Sequence, residues 1–148
     1  VVLNLAAGPL VIAGPVRLPI GRVVLEFPAG KLDARETVLA CARRELAEET
    51  GYRAREWARA GIVHNAMAYS TEIIEVWFAR GLSAGPSQLE PGELLDISLV
   101  SEVELDAAAG RGEVSDAKTL VALLWLQRWR ARVWPLQWFT SPDGAGPP

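Results

Sequence analysis

Short apolar runs open the chain. Val1 to Leu5 and Leu10 to Ala13 are such runs, parted by Ala7-Gly8-Pro9. Turn formers between short apolar runs predict two strands. Gly14-Pro15 is expected to break the second strand, and Pro19 with Gly21 makes another turn. Val23 to Phe27 reads as a further strand, running into Pro28-Ala29-Gly30. From Val38 the period changes. Apolar residues at 38, 39, 42 and 46 recur at three- and four-residue steps. That is the period of an amphipathic helix with one buried face. Gly51 fits the left-handed position that ends such a helix. Trp57 to Val63 and Glu72 to Arg80 are rich in strand formers. The Gly, Pro and Ser of Leu82 to Gly92 predict a loop, and Leu94 to Val100 a strand. Ser101 with Glu104 three residues on is a capping box, so a helix starts there and stops at Gly110 and Gly112. Ser115 or Asp116 caps the last helix. Its Leu120 to Trp129 stretch is apolar on most sides, which implies burial in the core or against a second subunit. Residues 1–131 form the domain in this reading, and 132–148 a C-terminal tail rich in Trp, Pro and Gly.

Composition narrows the class. At 148 residues, half of them hydrophobic, the chain is one domain with a real core and no disordered protein. The net charge is −3 and no basic block occurs, which argues against a nucleic-acid partner held by its backbone. The longest apolar run, Leu120 to Leu126, is far too short to span a bilayer, so no membrane partner is expected. No positive charge precedes Arg17, so a secretory leader is not expected. The single cysteine, Cys41, cannot make an internal disulfide and reads as small packing material in the helix. That fits a reducing compartment and a cytoplasmic protein. His64, the only histidine, reads as a hydrogen-bonded loop residue.

The chemistry concentrates in the first helix. Glu45, Glu48 and Glu49 stand three or four residues apart, on one face. Like charges at that spacing destabilise a bare helix, and glutamates near a helix C-terminus oppose the dipole. A hard cation between the carboxylates would account for both. Oxygen-only ligands suit Mg²⁺, or Mn²⁺, bound together with waters and substrate phosphates. Glu48-Glu49 taken alone is as well explained by a solvated helix face.

The full spacing says more. From Gly30 to Tyr52 the chain reads G-x5-E-x7-R-E-L-x-E-E-x-G-Y. A chance match of seven fixed and two apolar positions is on the order of 10⁻¹⁰ per start point. This resembles the Nudix box at all nine of its defined positions. Leu25-Glu26-Phe27-Pro28-Ala29-Gly30 is similar to the E-x-P-A-G segment of the ADP-ribose pyrophosphatase branch. Arg17-Leu18-Pro19-Ile20-Gly21-Arg22 is similar to the segment before it, with Pro15-Val16 where that branch has Gln-Tyr, and Ala6, Ala7 and Ala13 in place of polar residues.

The resemblance implies an α/β fold, the Nudix α/β/α sandwich with a mixed β-sheet, and Mg²⁺-dependent hydrolysis of ADP-ribose to AMP and ribose 5-phosphate. It implies Glu45, Glu48, Glu49 and the Ala29 carbonyl as metal ligands. Arg44 would orient the carboxylates, and Glu36 would pair with Arg44. Glu93, or Glu90 beside it, would be the loop carboxylate that activates water, and Glu72 a further partner at the metal site. Arg17, Glu26 and Phe27 become candidate substrate contacts. Relatives in this branch carry a small N-terminal β domain that helps them dimerise. It is not seen here, although a homodimer is still expected. Two other readings stay open: a Nudix pyrophosphatase for a nucleotide sugar, dinucleotide or nucleoside triphosphate, and a Nudix-like module that binds ADP-ribose without turning it over.

Overall fold

A computed structural model describes residues 2–5, 10–17, 22–87 and 95–140. Two sheets and three helices make up these residues. In the first sheet β1 (Val2–Leu5) runs parallel to β5 (Ile73–Ala84), which pairs antiparallel with β4 (Tyr52–His64). A short strand β7 (Phe139–Thr140) closes the far edge, antiparallel to β4. The order β1-β5-β4-β7 is thus a mixed sheet, as expected. The second sheet is antiparallel, with β2 (Leu10–Arg17) between β3 (Arg22–Val23) and β6 (Leu95–Val100).

Alternation along β5 explains the layering. Side chains of a strand point to opposite faces in turn. Ile74, Val76 and Phe78 point into a core with Leu105 and Ala108 of α2 (Glu102–Gly110) and Ala122, Leu123 and Leu126 of α3 (Ala117–Arg130). Trp77 and Ala79 point the other way. There they meet Trp57 and the Leu39, Ala42 and Leu46 stripe of α1 (Val38–Thr50). The 3.6-residue period of that stripe therefore buries one helix face on the sheet. The result is the expected α/β/α sandwich.

Local signals set the helix ends. Thr37 caps α1 by accepting the Ala40 amide, and Gly51 ends it at φ 74°. Only glycine adopts that conformation without strain, and the Gly85 carbonyl stands where a Cβ would go. Ser101 and Glu104 form the expected capping box on α2. Asp116, rather than Ser115, caps α3.

Two expectations about the strands need correction. Gly14-Pro15 does not break β2. The strand continues to Arg17, with Gly14 opposite Asp96 and Pro15 opposite Leu95. On its other side β2 bridges at Ala13 to Glu26 and pairs again from Val16 to Val23, so the ladder skips the residue that lacks an amide. The strands read as 57–63 and 72–80 extend to Tyr52–His64 and Ile73–Ala84. The polar stretch of β4 is held there by cross-strand pairs such as Arg80 with Glu56, two bonds at 3.0 and 2.8 Å.

Residues 138–140 pack on the sheet and on α3. Trp138 packs on Trp129 with ring centroids 5.6 Å apart, Arg80 lies 4.2 Å over the Trp138 ring, and Phe139 meets Trp77 edge-on at 6.2 Å. Trp125 and Trp129, partly buried, pack against the core. We expect Trp138→Ala to cost about 2 kcal/mol, the low end for a partly buried Trp, and to lower Tm by roughly 4–8 °C. Thermal unfolding followed by near-UV circular dichroism measures this. An unchanged Tm would mean that the aromatic stack contributes nothing.

Candidate functional site

The acidic face of α1 meets the Pro28-Ala29-Gly30 corner. The Ala29 amide donates to Glu49 Oε2 at 3.2 Å. Gly30 lies against Glu45, so closely that a Cβ there would stand 1.8 Å from the Glu45 carboxylate. A residue without a side chain is required at that contact.

Arg44 is the hub of the site. Its Nε and Nη2 donate to the two Glu36 oxygens, both at 3.0 Å. Nη1 donates to Glu45 Oε1 and to Glu48 Oε2, both at 2.9 Å, and Nη2 also reaches the Lys31 carbonyl at 2.9 Å. A planar fork with five donors makes such a set possible, where a lysine ammonium would not. Cys41 stands behind it, buried, its thiol donating to the same Lys31 carbonyl at 3.3 Å. Burial pushes that thiol up to about 11, so it is packing material and no nucleophile.

The electrostatics are unbalanced. The Arg44 fork holds the Glu36 carboxyl below the ordinary carboxylate range, and the same bond to Glu36 pushes the guanidinium further up. Glu45 goes the other way. Burial raises its carboxyl, Arg44 pulls it down, and Glu48 adds to the rise. One guanidinium thus faces Glu36, Glu45 and Glu48, with Asp33 a fourth carboxylate at 3.6 Å, and does not neutralise them. The excess negative charge and the oxygen-only donors fit a hard divalent cation. Among the described residues no three acidic, His or Cys side chains converge into a metal-holding group. Glu45 and Glu48 both turn to Arg44, while Glu49 turns to the Ala29 amide.

Glu36 gives a pH prediction. Its folded-state pKa is depressed, so its bond with Arg44 contributes stability above the ordinary value of 4.5, which is lost as pH falls through the folded value. We expect Glu36→Gln to lower stability by about 2 kcal/mol at neutral pH, the usual worth of a charged hydrogen bond. The deficit shrinks as pH falls below 4.5. A gap in Tm that stays constant from neutral pH into acid would contradict this.

The other expected residues divide. Glu72 is exposed at the strand end, takes a bond from Asn65 Nδ2 at 3.2 Å, and borders a cleft of about 410 Å³ that adjoins the site at Gly30 and Lys31. Leu32, Val38 and Ile73 give that cleft apolar walls. Phe27 is fully buried in the core, so its ring reaches no substrate, which corrects that expectation. The Glu26 carboxylate is also buried, at 3% exposure, and is bound by Lys118. Arg17 is the last residue of β2, opposite Arg22. Glu90 and Glu93 lie outside the described residues. His64 is exposed at the end of β4. Sequence reasoning took Asp116 for a cap and missed that Lys118 and Thr119 reach back to residues 26 and 27.

Residues 10–123 match the NUDIX domain family. The chain is 32% identical over 122 residues to an ADP-ribose pyrophosphatase of Bacillus subtilis (strain 168), covering 81% of this chain and 66% of that protein. It is also 32% identical over 123 residues to a Methanol dehydrogenase activator of Bacillus methanolicus, covering 80% and 65% respectively. The chain therefore spans just under two thirds of either relative. A solved structure of an ADP compounds hydrolase superposes with a TM-score of 0.81 at 19% identity, over 88% of this chain and 71% of the other.

Proposed function

This chain belongs to the Nudix family, and we propose that it hydrolyses the pyrophosphate bond of a nucleoside diphosphate derivative, with ADP-ribose as the first substrate to try. The products would be AMP and ribose 5-phosphate. The observation that carries the reading is the Arg44-centred set of carboxylates on α1, seated against the Ala29-Gly30 corner. The ADP-ribose pyrophosphatase relative supports the choice of substrate.

Glu45, Glu48, Glu49 and the Ala29 carbonyl would hold Mg²⁺, with Mn²⁺ as a substitute. A bound divalent cation neutralises diphosphate charge and lowers the pKa of a bound water. The chain's own residues do the rest. Arg44 holds Glu45 and Glu48 in fixed directions, and Glu36 holds Arg44. The Ala29 amide fixes one Glu49 oxygen. Glu93, or Glu90, is the proposed base for the attacking water, and Arg17 a proposed phosphate contact. The cleft beside Gly30 offers apolar walls for part of the substrate, with Glu72 at its border.

No helix among the described residues is long and apolar enough to cross a membrane. We place the protein in the cytoplasm on the strength of its single cysteine. A homodimer is part of the proposal. Leu120 and Leu124 on α3 and Val103 on α2 are exposed at 39, 43 and 77%, and could be covered by a second copy.

The test is product release from ADP-ribose, a nucleotide sugar and a nucleoside triphosphate in parallel, with Mg²⁺ and with chelator. AMP released from ADP-ribose alone, and only with metal, supports the specific reading. Turnover of another compound keeps the chemistry and moves the substrate. Binding without turnover favours a non-catalytic module. The equal identity to a Methanol dehydrogenase activator supports a second reading, in which the chain activates an alcohol dehydrogenase. Adding it to such an enzyme and measuring the rate decides that.

A further inference from the structure

Charged side chains are seldom buried, and when they are they need close partners. Glu26 is buried, and the partly buried Lys118 is its partner. The Lys118 ammonium donates to Glu26 Oε2 and, at 2.8 Å, to Asp116 Oδ1. Asp116 Oδ2 accepts from the Thr119 amide at 2.9 Å and from its hydroxyl at 2.7 Å. The same hydroxyl, fully buried, accepts the Phe27 amide at 3.0 Å. A hydroxyl has one proton to give and lone pairs to receive, so both bonds form at once. An unbroken series of bonds thus joins the first turn of α3 to residues 26 and 27.

That short stretch leads directly to the site. Glu26 also bridges to Ala13 through its backbone, with bonds of 2.8 and 3.0 Å. Pro28 follows, with a φ fixed by its ring. Then come the Ala29 amide on Glu49 and Gly30 against Glu45. A shift of the Phe27 peptide would therefore move the two groups that touch these carboxylates. Apolar residues of similar volume would hold α3 to the sheet at least as firmly as a buried ion pair does. They would not fix the direction of the Phe27 amide.

We propose that Lys118 and Thr119 are positioning residues for the carboxylate site, acting through Glu26 and Phe27 on the Ala29-Gly30 corner. This rests on the reading of that site as the place of reaction. It also gives Glu26 a structural part in place of substrate contact. The bonds of Lys118 and Thr119 run to Glu26, Asp116 and Phe27, so their effect on the site runs through the peptide between.

The experiment compares Thr119→Val, Thr119→Ser and a packing control on the same helix, Leu126→Val. Three quantities are read on the full chain: Tm, amide hydrogen exchange at Ala29 by ¹⁵N NMR, and Mn²⁺ binding by electron paramagnetic resonance without substrate. Thr119→Val should speed Ala29 exchange by about tenfold. It should weaken Mn²⁺ binding by about tenfold, as loss of a supporting partner does at metal sites. Thr119→Ser should restore both, and Leu126→Val should lower Tm while leaving both near wild type. The proposal is overturned if folded Thr119→Val matches wild type in both, or if Leu126→Val moves them as far. Where Thr119→Val does not fold, Lys118→Met is read in its place against the same two outcomes. A wild-type chain that takes up no Mn²⁺ would sink the cation reading of the site, while Ala29 exchange would still decide whether α3 holds the corner.

Discussion

Glu49→Gln lowers metal-dependent turnover by about a hundredfold or more, since an ion that stabilises transition-state charge is worth several kcal/mol. The change is chosen because it removes charge and keeps shape. The Glu49 oxygen that accepts the Ala29 amide has a counterpart in the glutamine carbonyl, so the corner stays seated. The change takes away the negative charge that a cation would meet. Tm in chelator should stay close to wild type, and the gain in Tm on adding Mg²⁺ should shrink, because a weaker ligand stabilises less. Turnover close to wild type in a folded variant would remove Glu49 from the metal site.

Arg44→Met carries the largest effect on stability. The guanidinium makes two bonds to Glu36, one each to Glu45 and Glu48, and one to the Lys31 carbonyl. Taking it away leaves three carboxylates close together with no cation between them. Removing one side of a buried charge pair costs 3–5 kcal/mol, and this site is partly open to water, so about 3 kcal/mol is expected. For a chain of this size that lowers Tm by roughly 6–12 °C. Arg44→Lys should recover less than half, because one ammonium cannot serve both edges of Glu36 and the other two carboxylates together. Salt and divalent cation give the signature. Screening should narrow the deficit in molar NaCl. Mg²⁺ should narrow it at far lower concentration if it enters among these same glutamates. A deficit indifferent to both would mean that Arg44 contributes packing alone.

The first helix and its acidic face were legible because their signals are local. The apolar steps from Val38 to Leu46, the glycine at the end and the glutamate spacing all lie within a few turns. The bond of Glu36 to Arg44 was expected from the resemblance to the Nudix box, not from local spacing. The course of β2 was not, because Pro15 is disfavoured in strands generally and tolerated here only where the ladder skips it. Phe27 shows a different limit. Its segment pointed to substrate, while its ring packs in the core with Val76 and Phe78. The partners of Glu26 were hidden for a plainer reason. Lys118 lies 92 residues away, and nothing local in either segment says which distant charge it will meet. The pairing of Phe139 with Trp57 was hidden because β4 lies far upstream.

The bond between Phe27 and Thr119 also spans 92 residues, and that bears on the order of assembly. Chains emerge from the ribosome N-terminus first, at roughly 5–20 residues per second, and contacts between distant segments are the slow ones to form. The glutamates of α1 are all synthesised long before α3. A nascent or prematurely ended chain would hold the full Nudix box with its corner strand still unanchored. On the proposed reading of the site, catalytic competence would arrive only when α3 docks, and an unfinished copy of the chain would turn no substrate over.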